Sequence, residues 1–368
     1  MRRQISGIIA FALAEMLLCS FTPDWKCPQV FAHRGCWIED FIPENSLDGV
    51  EMAAMYGYPT TECDVRRTKD GVLVLMHDAS INRTMRKASD YSQITDAVKV
   101  SDHTFSELRE KYVLASDDPD RRRPIPSFEE YLKKCGECGI VPILHCDIYE
   151  GYEAAHKWYG SNWIAFTTEY DVCRKVRRLN PDVLVLYAID KMEGDPSPAE
   201  VIAKLDGIGG RCGISSMGHY DLREEMCTEL HKHGYCAQSS IFRTPHEAAA
   251  TGNGADILLT DFAWFQTEGR IPYGRFSKQD LKLGENEKIG KRWPEMEYSA
   301  MTVDITFKGY FDIVVNGKRT YRINHDRMEV EHLGFRCYRE APSIEVISLE
   351  TGGRVEEIEV DIYKMDRR

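Results

Sequence analysis

The sequence predicts an α/β fold, a (β/α)8 or TIM barrel, with a small C-terminal antiparallel β-sandwich module. Between residues 30 and 262, short apolar runs alternate with amphipathic stretches, and eight of the runs have the length of a strand. From residue 301 onward the apolar residues recur with a period of two, which is typical of antiparallel sheets. The chain has 368 residues, so one large domain or two ordinary ones are expected.

The eight predicted barrel strands are separated by stretches long enough for a helix. They cover residues 30–33, 61–65, 142–147, 163–167, 183–188, 212–215, 236–241 and 256–260. Helical periodicity is found between them, for example at residues 45–56, 127–138, 170–179 and 221–233. Gly57 and Gly234 follow two of these stretches, where helices commonly end.

Two further segments lie between the second and third predicted strands. Residues 72–76 follow the turn sequence Lys69-Asp70-Gly71 and predict an extra strand that pairs with the second strand. This strand would carry His77 over the barrel mouth. Residues 85–123 are polar and predict an irregular surface excursion. We interpret its arginines at 121–123 as a solvated face, with attraction of an anionic substrate as the alternative.

The domain boundaries follow from changes of pattern. Residues 1–27 predict a signal peptide with an N-terminal tail, and residues 28–262 predict the barrel. Residues 263–296 are rich in Gly, Pro and charge, and predict a linker or wrapping segment. Residues 297–368 predict the β-module, with a hairpin turn at Asn316-Gly317.

The N-terminus predicts export to a periplasmic or extracellular location. Arg2 and Arg3 precede an apolar stretch at residues 5–14 that is too short to span a bilayer comfortably. A disordered or helical tail is the alternative. The 12 cysteines permit disulfides in such a compartment, including a local one between Cys135 and Cys138, although most are expected to act as small hydrophobic side chains.

The composition argues against some classes of partner. The net charge of −12 disfavours sequence-independent binding to nucleic acid and to anionic membrane surfaces. A small anionic substrate must then be attracted by a local positive site, such as a bound cation beside Arg34. Hydrophobic residues make up 43% of the chain, which is enough for a sizeable core.

Residues suited to phosphate chemistry follow or close the first apolar runs. His33 and His77 are the candidate proton donor and acceptor, because histidine titrates near neutral pH. Arg34 is the candidate ligand of a substrate phosphate. Together with two nearby carboxylates, this set predicts metal-assisted cleavage of a phosphate ester.

Carboxylates predict a site for a hard divalent cation. Glu62 and Asp64 alternate on one strand and therefore face the same side, while Asp147 ends the next predicted strand. Three unpaired carboxylates would repel one another, whereas Ca²⁺ or Mg²⁺ prefers such oxygen ligands. Pairing of these carboxylates with Arg34 is the structural alternative.

Four more residues are candidates for supporting roles near this site. Asn45 is expected to cap the helix that begins there, and Glu44 is a candidate contact of the substrate. His145 shares a strand face with Asp147 and is expected either to contact a metal-binding residue or to replace some of the lost positive charge, and Tyr149 lies two residues further on.

The motifs also occur in a recognisable order and spacing. They are Phe31-Ala32-His33-Arg34-Gly35, Pro43-Glu44-Asn45-Ser46, Glu62-Cys63-Asp64-Val65, Thr68-Lys69-Asp70-Gly71, His77-Asp78 with Arg83-Thr84, and the segments 125–130 and 255–261. This set resembles the signature of the glycerophosphodiester phosphodiesterases over roughly residues 30–262. The resemblance implies a barrel enzyme that uses a divalent cation to hydrolyse a glycerophosphodiester to glycerol phosphate and an alcohol.

The sequence departs from that family at three places. The family usually has glutamate where this chain has Asp147, lysine where it has Tyr149, and a Trp-Thr pair near residues 237–242. These changes leave the alcohol open, so a lysophospholipase D-like enzyme acting on a lipid or other head group is one alternative. A non-catalytic protein that binds glycan or envelope through the β-module is another. The oligomeric state is not predicted.

Overall fold

The structure is a computed structural model that describes residues 29–38, 41–192, 194–217, 222–242, 254–260 and 271–365. The predicted signal peptide at residues 1–27 lies outside these residues. The chain divides into two compact units, which correspond to the predicted barrel and the predicted β-module. Among the described residues, no helix is both long enough and apolar enough to cross a membrane.

Strands and helices alternate along the first unit. The strands are β1 (Gln29–Ala32), β2 (Thr60–Arg67), β3 (Leu73–Leu75), β4 (Met85–Lys87), β5 (Tyr112–Leu114), β6 (Val141–His145), β7 (Ile164–Thr167), β8 (Leu184–Ala188), β9 (Cys212–Met217), β10 (Cys236–Phe242) and β11 (Ile257–Thr260). The helices are α1 (Leu47–Tyr56), α2 (Phe105–Lys111), α3 (Phe128–Cys138), α4 (Tyr149–Tyr159), α5 (Tyr170–Leu179), α6 (Pro198–Ile208) and α7 (Glu224–Lys232). Short 3₁₀ turns lie at Val100–Asp102, Pro119–Arg121 and Ile189–Lys191.

Eight parallel strands close into the predicted barrel. Hydrogen bonds join them in the order β1-β11-β10-β9-β8-β7-β6-β2, and β1 also pairs with β2 at Ala32 and Thr61, which closes the ring. Apolar side chains of the strands, among them Phe31, Ile143 and Leu186, form one buried cluster. Each such side chain stabilises the fold by about 1.5–3 kcal/mol when it leaves water.

Several helices begin at a capping serine or end at a glycine. Ser127 caps α3 by accepting a hydrogen bond from the backbone N–H of Glu130, whose carboxylate accepts one in return from the backbone N–H of Ser127. Gly57 ends α1 with a φ of 85°, a left-handed conformation that glycine adopts without strain. Gly234 also has a left-handed conformation, just after α7. The predicted ends of α1 and α7 are therefore confirmed.

The segment between β2 and β6 is a small folded layer. β3 pairs antiparallel with β2, with Leu75 opposite Val65, so the predicted hairpin is confirmed. The expectation of an irregular excursion at residues 85–123 is wrong, because β4 pairs with β5 and apolar side chains such as Leu108 form a separate buried cluster. The apolar residues of this cluster come from several short elements, so they show no single periodicity.

The interpretation of the arginine run as a solvated face is wrong for Arg121. Its side chain is only 6% exposed, and its Nη1 lies 2.9 Å from Oδ1 of Asp48. Arg122 also has a partner, because its guanidinium stacks 3.5 Å from the ring centroid of Tyr91. Both contacts join residues that are far apart in the sequence, which is why the local pattern did not reveal them.

The second unit is the predicted antiparallel module. Its strands are β12 (Gly274–Leu283), β13 (Lys288–Arg292), β14 (Met296–Val315), β15 (Arg319–Glu340), β16 (Ser343–Ser348) and β17 (Gly353–Lys364). β14 pairs with β15 on one side and with β16 and β17 on the other, so the six strands belong to one hydrogen-bonded sheet around a single apolar core. The turn from β14 to β15 has positive φ angles at Asn316 and Gly317, as the sequence predicts.

The expectation of a linker at residues 263–296 is wrong for the part that the structure describes. β12 pairs with β17, and β13 pairs with β16. Most side chains of both strands are exposed, so the alternation that identifies a half-buried strand is weak there.

Candidate active site

The candidate residues meet at the carboxyl end of the barrel strands. His33 and Arg34 directly follow β1, Glu62 and Asp64 lie in β2, and His145 is the last residue of β6. Because β2 pairs in parallel with both β1 and β6, these side chains are brought to one edge of the sheet. Barrels of this type place their functional groups at that edge.

The backbone after β1 is held in a strained conformation beside Glu62. Arg34 has a φ of 52°, which is uncommon for any residue other than glycine. Its N–H donates to Oε2 of Glu62 at 2.8 Å, and the N–H of Gly35 donates to the carbonyl of Glu62 at 3.1 Å. The neighbouring strand therefore stabilises a turn that orients His33 and Arg34.

Asn45 holds the same turn from the other side, and the expectation that it caps a helix is wrong. Its N–H donates to the carbonyl of Arg34 at 2.8 Å. Its side chain donates to Oδ2 of Asp64 and accepts from the N–H of Asp64, both at 2.9 Å. The cap of α1 is Ser46, whose hydroxyl accepts from the N–H of Gly49.

Glu62, Asp64 and His145 form a cluster that could hold a metal ion. One ligand atom from each residue lies within 4.8 Å of those of the other two. His145 Nδ1 is 3.0 Å from Oδ1 of Asp64 and 3.9 Å from Oε1 of Glu62. Glu62 is 1% exposed, and its Oε1 has no hydrogen-bond partner in the described structure. An unpaired buried carboxylate oxygen is costly, so the residues present fit a cation that would compensate it.

The pKa values in this cluster are displaced in opposite directions. Burial, and then the charge of Asp64, raise the pKa of Glu62 to about 7. Burial opposes ionisation of Asp64 too, but the hydrogen bond from His145 and the charge of Arg34 lower its pKa below the usual value. Burial likewise disfavours the imidazolium form of His145, yet the contacts with Asp64 and Glu62 raise its pKa above the usual value. The negative charges of Glu62 and Asp64 are thus both compensated by the same imidazolium, that of His145.

Asp147 does not lie in this cluster, contrary to the prediction of three converging carboxylates. Its Oδ1 accepts hydrogen bonds from the Thr167 hydroxyl and the Thr168 N–H, each at 2.8 Å. Its Oδ2 accepts a third from the Thr168 hydroxyl at 2.8 Å. The loop after β7 therefore satisfies the Asp147 carboxylate, and His145 takes the third position beside Glu62 and Asp64.

His77 is held by a chain of three charged residues, of which sequence reasoning assigned a role only to Glu44. Its Nδ1 lies 2.6 Å from Oδ1 of Asp78, and Oδ2 of Asp78 accepts from Nε of Arg83 at 2.7 Å. Both terminal nitrogens of Arg83 donate to Glu44 at 2.8 Å. We call Asp78, Arg83 and Glu44 the bridge. The only signal for Asp78 and Arg83 was their place in the motif that carries the family resemblance.

The bridge also reaches Arg34. Nη1 of Arg34 donates to Oε1 of Glu44 at 3.2 Å, and its Nε lies 3.4 Å from Oδ2 of Asp64. Glu44 therefore contacts both arginines, and its predicted contact with substrate stays a prediction. The hydrogen bond from Arg83 holds the pKa of Asp78 down to about 2, so this carboxylate stays ionised next to His77.

A cavity of about 290 Å³ adjoins the cluster. Its wall includes Asp64, His77, His145 and Asp147, together with the guanidinium-bearing side chains of Arg66 and Arg67. Nε2 of His33 lies 3.9 Å from Oε2 of Glu62. Residues of both charges thus line the cavity: the carboxylates of Asp64 and Asp147, two histidines and two arginines, of which Arg67 pairs with Glu150 at 3.0 Å.

The two remaining departures from the family pattern have structural explanations. Tyr149 begins α4, and its ring centroid is 5.6 Å from Nζ of Lys175 in α5, a cation–π contact between neighbouring helices. In β10, Gln238 is fully buried and donates to the hydroxyl of Ser215 at 2.8 Å. A polar pair therefore lies in β9 and β10, in the stretch where the family commonly has Trp-Thr.

Comparison with known proteins relates the barrel to one family. Residues 33–198 match the model of the glycerophosphoryl diester phosphodiesterase family. Glycerophosphodiester phosphodiesterase 1 of Homo sapiens is 34% identical over 167 residues, which are 42% of this chain and 46% of the human protein. Glycerophosphodiester phosphodiesterase of Bacillus altitudinis is 36% identical over 81 residues, 22% of this chain and 29% of that protein. The matches thus span less than half the length of these relatives.

Solved structures share the barrel fold. A phosphodiesterase of Oleispira antarctica, determined in complex with the product sn-glycerol-3-phosphate, superposes with a TM-score of 0.53 at 20% identity, covering 64% of this chain and 93% of that one. A glycerophosphoryl diester phosphodiesterase of Parabacteroides distasonis gives a TM-score of 0.51 at 23% identity, covering 66% and 87%. The fold predicted from the sequence is therefore confirmed.

Proposed function

Because residues 33–198 belong to the glycerophosphoryl diester phosphodiesterase family, we propose that this chain hydrolyses glycerophosphodiesters to glycerol phosphate and an alcohol. The observation that carries the proposal is the cluster at the strand ends, where His33 lies 3.9 Å from Glu62, and Asp64 and His145 line the same cavity as His77. A phosphodiester is an anion that needs charge compensation and two proton transfers, and these groups can supply both.

The divalent cation would be held by Glu62, Asp64 and His145. When bound, such an ion supplies positive charge to the non-bridging oxygens of the phosphate and to the charge that develops there. Arg34 contacts Asp64 of the cluster and Glu44 of the bridge, and it would donate to a phosphate oxygen.

His33 and His77 are the proposed acid and base. The Asp78 carboxylate accepts a hydrogen bond from Nδ1–H of His77, so Nε2 of that ring is left to accept a proton from the nucleophile or to donate one to the leaving alkoxide. The nucleophile is water or the glycerol hydroxyl of the substrate. His33 would perform the opposite transfer from the side of Glu62.

The proposal is tested by incubating the full chain with glycerophosphocholine and glycerophosphoethanolamine and measuring glycerol phosphate. We expect release from at least one of them in the presence of a divalent cation. Loss of release in His33→Ala and in His77→Ala, with unchanged circular dichroism, would support the assigned roles. Near-normal release in both variants would contradict them.

A lipid phosphodiester is the second candidate substrate. The family lysine is absent at Tyr149, whereas Arg66 and Arg67 line the cavity, so the cationic contacts around the substrate differ from the family pattern. Parallel assays with a lysophospholipid separate the two substrates. A rate on the lysophospholipid that exceeds that on glycerophosphocholine by tenfold or more would replace the leading substrate class.

Two parts of the proposal rest on the sequence alone. Export of the chain follows from residues 1–27, and it is checked by finding a processed chain outside the cytoplasm. Binding of glycan or envelope by the second unit is checked by pull-down of the full chain with isolated envelope. A chain that binds envelope but hydrolyses none of the phosphodiesters would favour the alternative of a non-catalytic binding protein.

A further inference from the structure

We propose that the cluster of Glu62, Asp64 and His145 is a mixed oxygen and nitrogen site that prefers a borderline ion such as Co²⁺ or Zn²⁺ to Ca²⁺ or Mg²⁺. The inference rests on the proposed function and deepens it, because it names the class of cation that the site would take. It replaces the expectation of Ca²⁺ or Mg²⁺, which depended on three carboxylates.

In each carboxylate of the cluster, one oxygen accepts a hydrogen bond from a residue outside the cluster. Oε2 of Glu62 accepts the N–H of Arg34 at 2.8 Å, and Oδ2 of Asp64 accepts the amide of Asn45 at 2.9 Å. The other two oxygens, Oε1 and Oδ1, are the ones that face Nδ1 of His145. The protein therefore offers one atom from each residue rather than bidentate carboxylates.

The two distances from Nδ1 of His145 suit one small ion. Nδ1 of His145 is 3.0 Å from Oδ1 of Asp64 and 3.9 Å from Oε1 of Glu62. Two atoms that each lie about 2.1 Å from the same ion can be separated by at most about 4.2 Å. Both distances fall within that limit.

The imidazole is fixed in place. The ring of His145 stacks on that of Phe166 with centroids 4.2 Å apart and planes 19° from parallel. This contact holds the ring plane while Nδ1 points at the two carboxylates. A preorganised nitrogen ligand costs little ordering entropy when it binds a metal ion.

Among the described residues, the group of side-chain ligand atoms at this place contains two carboxylates and one imidazole, without a third carboxylate. Ca²⁺ takes six to eight oxygens, and the nearest other carboxylate on β6 and its loop, Asp147, is engaged by three hydrogen bonds from Thr167 and Thr168. Three protein ligands with an imidazole among them are typical of zinc and related ions, which leave open positions for water or substrate.

The test measures metal affinity of the full chain by isothermal titration calorimetry after chelation and dialysis, with Co²⁺, Zn²⁺, Mg²⁺ and Ca²⁺ as separate probes. For His145→Gln we expect a loss of tenfold or more in affinity for Co²⁺ and Zn²⁺, with a change of less than threefold for Mg²⁺. His231→Gln is the matched control, since His231 also lies 3.0 Å from a carboxylate, that of Asp256, outside the cluster. It should leave all four affinities unchanged.

A second variant and a spectroscopic measurement distinguish the loss of a metal ligand from a folding defect. His145→Asp restores three carboxylates and should raise the affinity for Mg²⁺ and Ca²⁺ relative to Co²⁺. In the Cu²⁺-loaded chain, electron paramagnetic resonance should show nitrogen coupling that is lost in His145→Gln. An equal loss of affinity for all four ions, or nitrogen coupling that persists in the variant, would overturn the inference. Hydrolysis of a glycerophosphodiester with Mg²⁺ in that case would leave the proposed function intact.

Discussion

The metal cluster and the bridge are neighbouring sets of charged residues with opposite hydrogen-bonding states. In the bridge, the carboxylates of Asp78 and Glu44 both accept from Arg83, with donor–acceptor distances of 2.7–2.8 Å. In the cluster, Oε1 of Glu62 has no hydrogen-bond partner among the described residues, although Glu62 is only 1% exposed to water. A satisfied network positions a side chain, whereas an unsatisfied buried carboxylate indicates where a ligand belongs.

The largest effect is expected from replacing the two histidines, His33 beside the cluster and His77 beside the bridge. His33→Ala and His77→Ala should each lower the turnover of glycerophosphocholine by about 10²–10⁴-fold, because each removes one proton transfer. Stopped assays of glycerol phosphate release measure the rate. Metal affinity should stay within threefold of wild type in His77→Ala, and a parallel loss of metal would show that His77 belongs to the cluster instead.

The next effect tests the cluster. Asp64→Asn should lower turnover by about 10³-fold, because the bound cation contributes several kcal/mol of charge stabilisation and loses a ligand. Calorimetric titration should show the matching loss of metal affinity. Unchanged affinity for every divalent cation would remove Asp64 from the site.

Substitutions in the bridge should lower turnover less, and they should act on kcat without affecting metal binding. Asp78→Asn leaves the shape of the contact but removes the charge that orients His77, so kcat should fall by about 10–100-fold with little change in KM. Metal affinity should be unchanged. Arg83→Lys, which loses the two-pronged contact with Glu44, should give a similar loss. A rise in KM alone would assign these residues to substrate binding.

The smallest effect concerns the stability of the metal-free protein. The pKa of Glu62 is raised to about 7 in the folded state, so ionisation destabilises that state as the pH rises from about 4.5 to about 7. Glu62→Gln should therefore stabilise the metal-free chain at pH 8 by about 1–3 kcal/mol and change little at pH 4.5. Calorimetric unfolding with chelator at both pH values measures the difference. Equal destabilisation at both pH values would assign Glu62 a structural role.

Residues whose role depends on strand alternation could be predicted from the sequence. Glu62 and Asp64 stand two apart on a strand, so their common side followed from the period of two, and the ends of β1 and β6 placed His33 and His145 near them. The barrel itself was predictable because its strands are buried apolar runs. In each case the information is local.

Residues whose role depends on a distant partner could not be predicted in the same way. Asp147 bonds to threonines that follow another strand, and Asn45 bonds to Asp64 instead of the helix beside it. β12 lies on an exposed sheet edge, where polar side chains hide the strand period. Tertiary hydrogen bonds and exposure therefore account for most of the differences.

The measurement that tests the central claim most directly is a metal titration of turnover. Chelated full chain is mixed with glycerophosphocholine, a divalent cation is added in steps, and glycerol phosphate is measured alongside bound metal. We predict no release without metal, a rise in rate that follows occupancy of the cluster, and no rise in Glu62→Gln. Full release in excess chelator, or a metal-dependent rate that Glu62→Gln retains, would contradict the account.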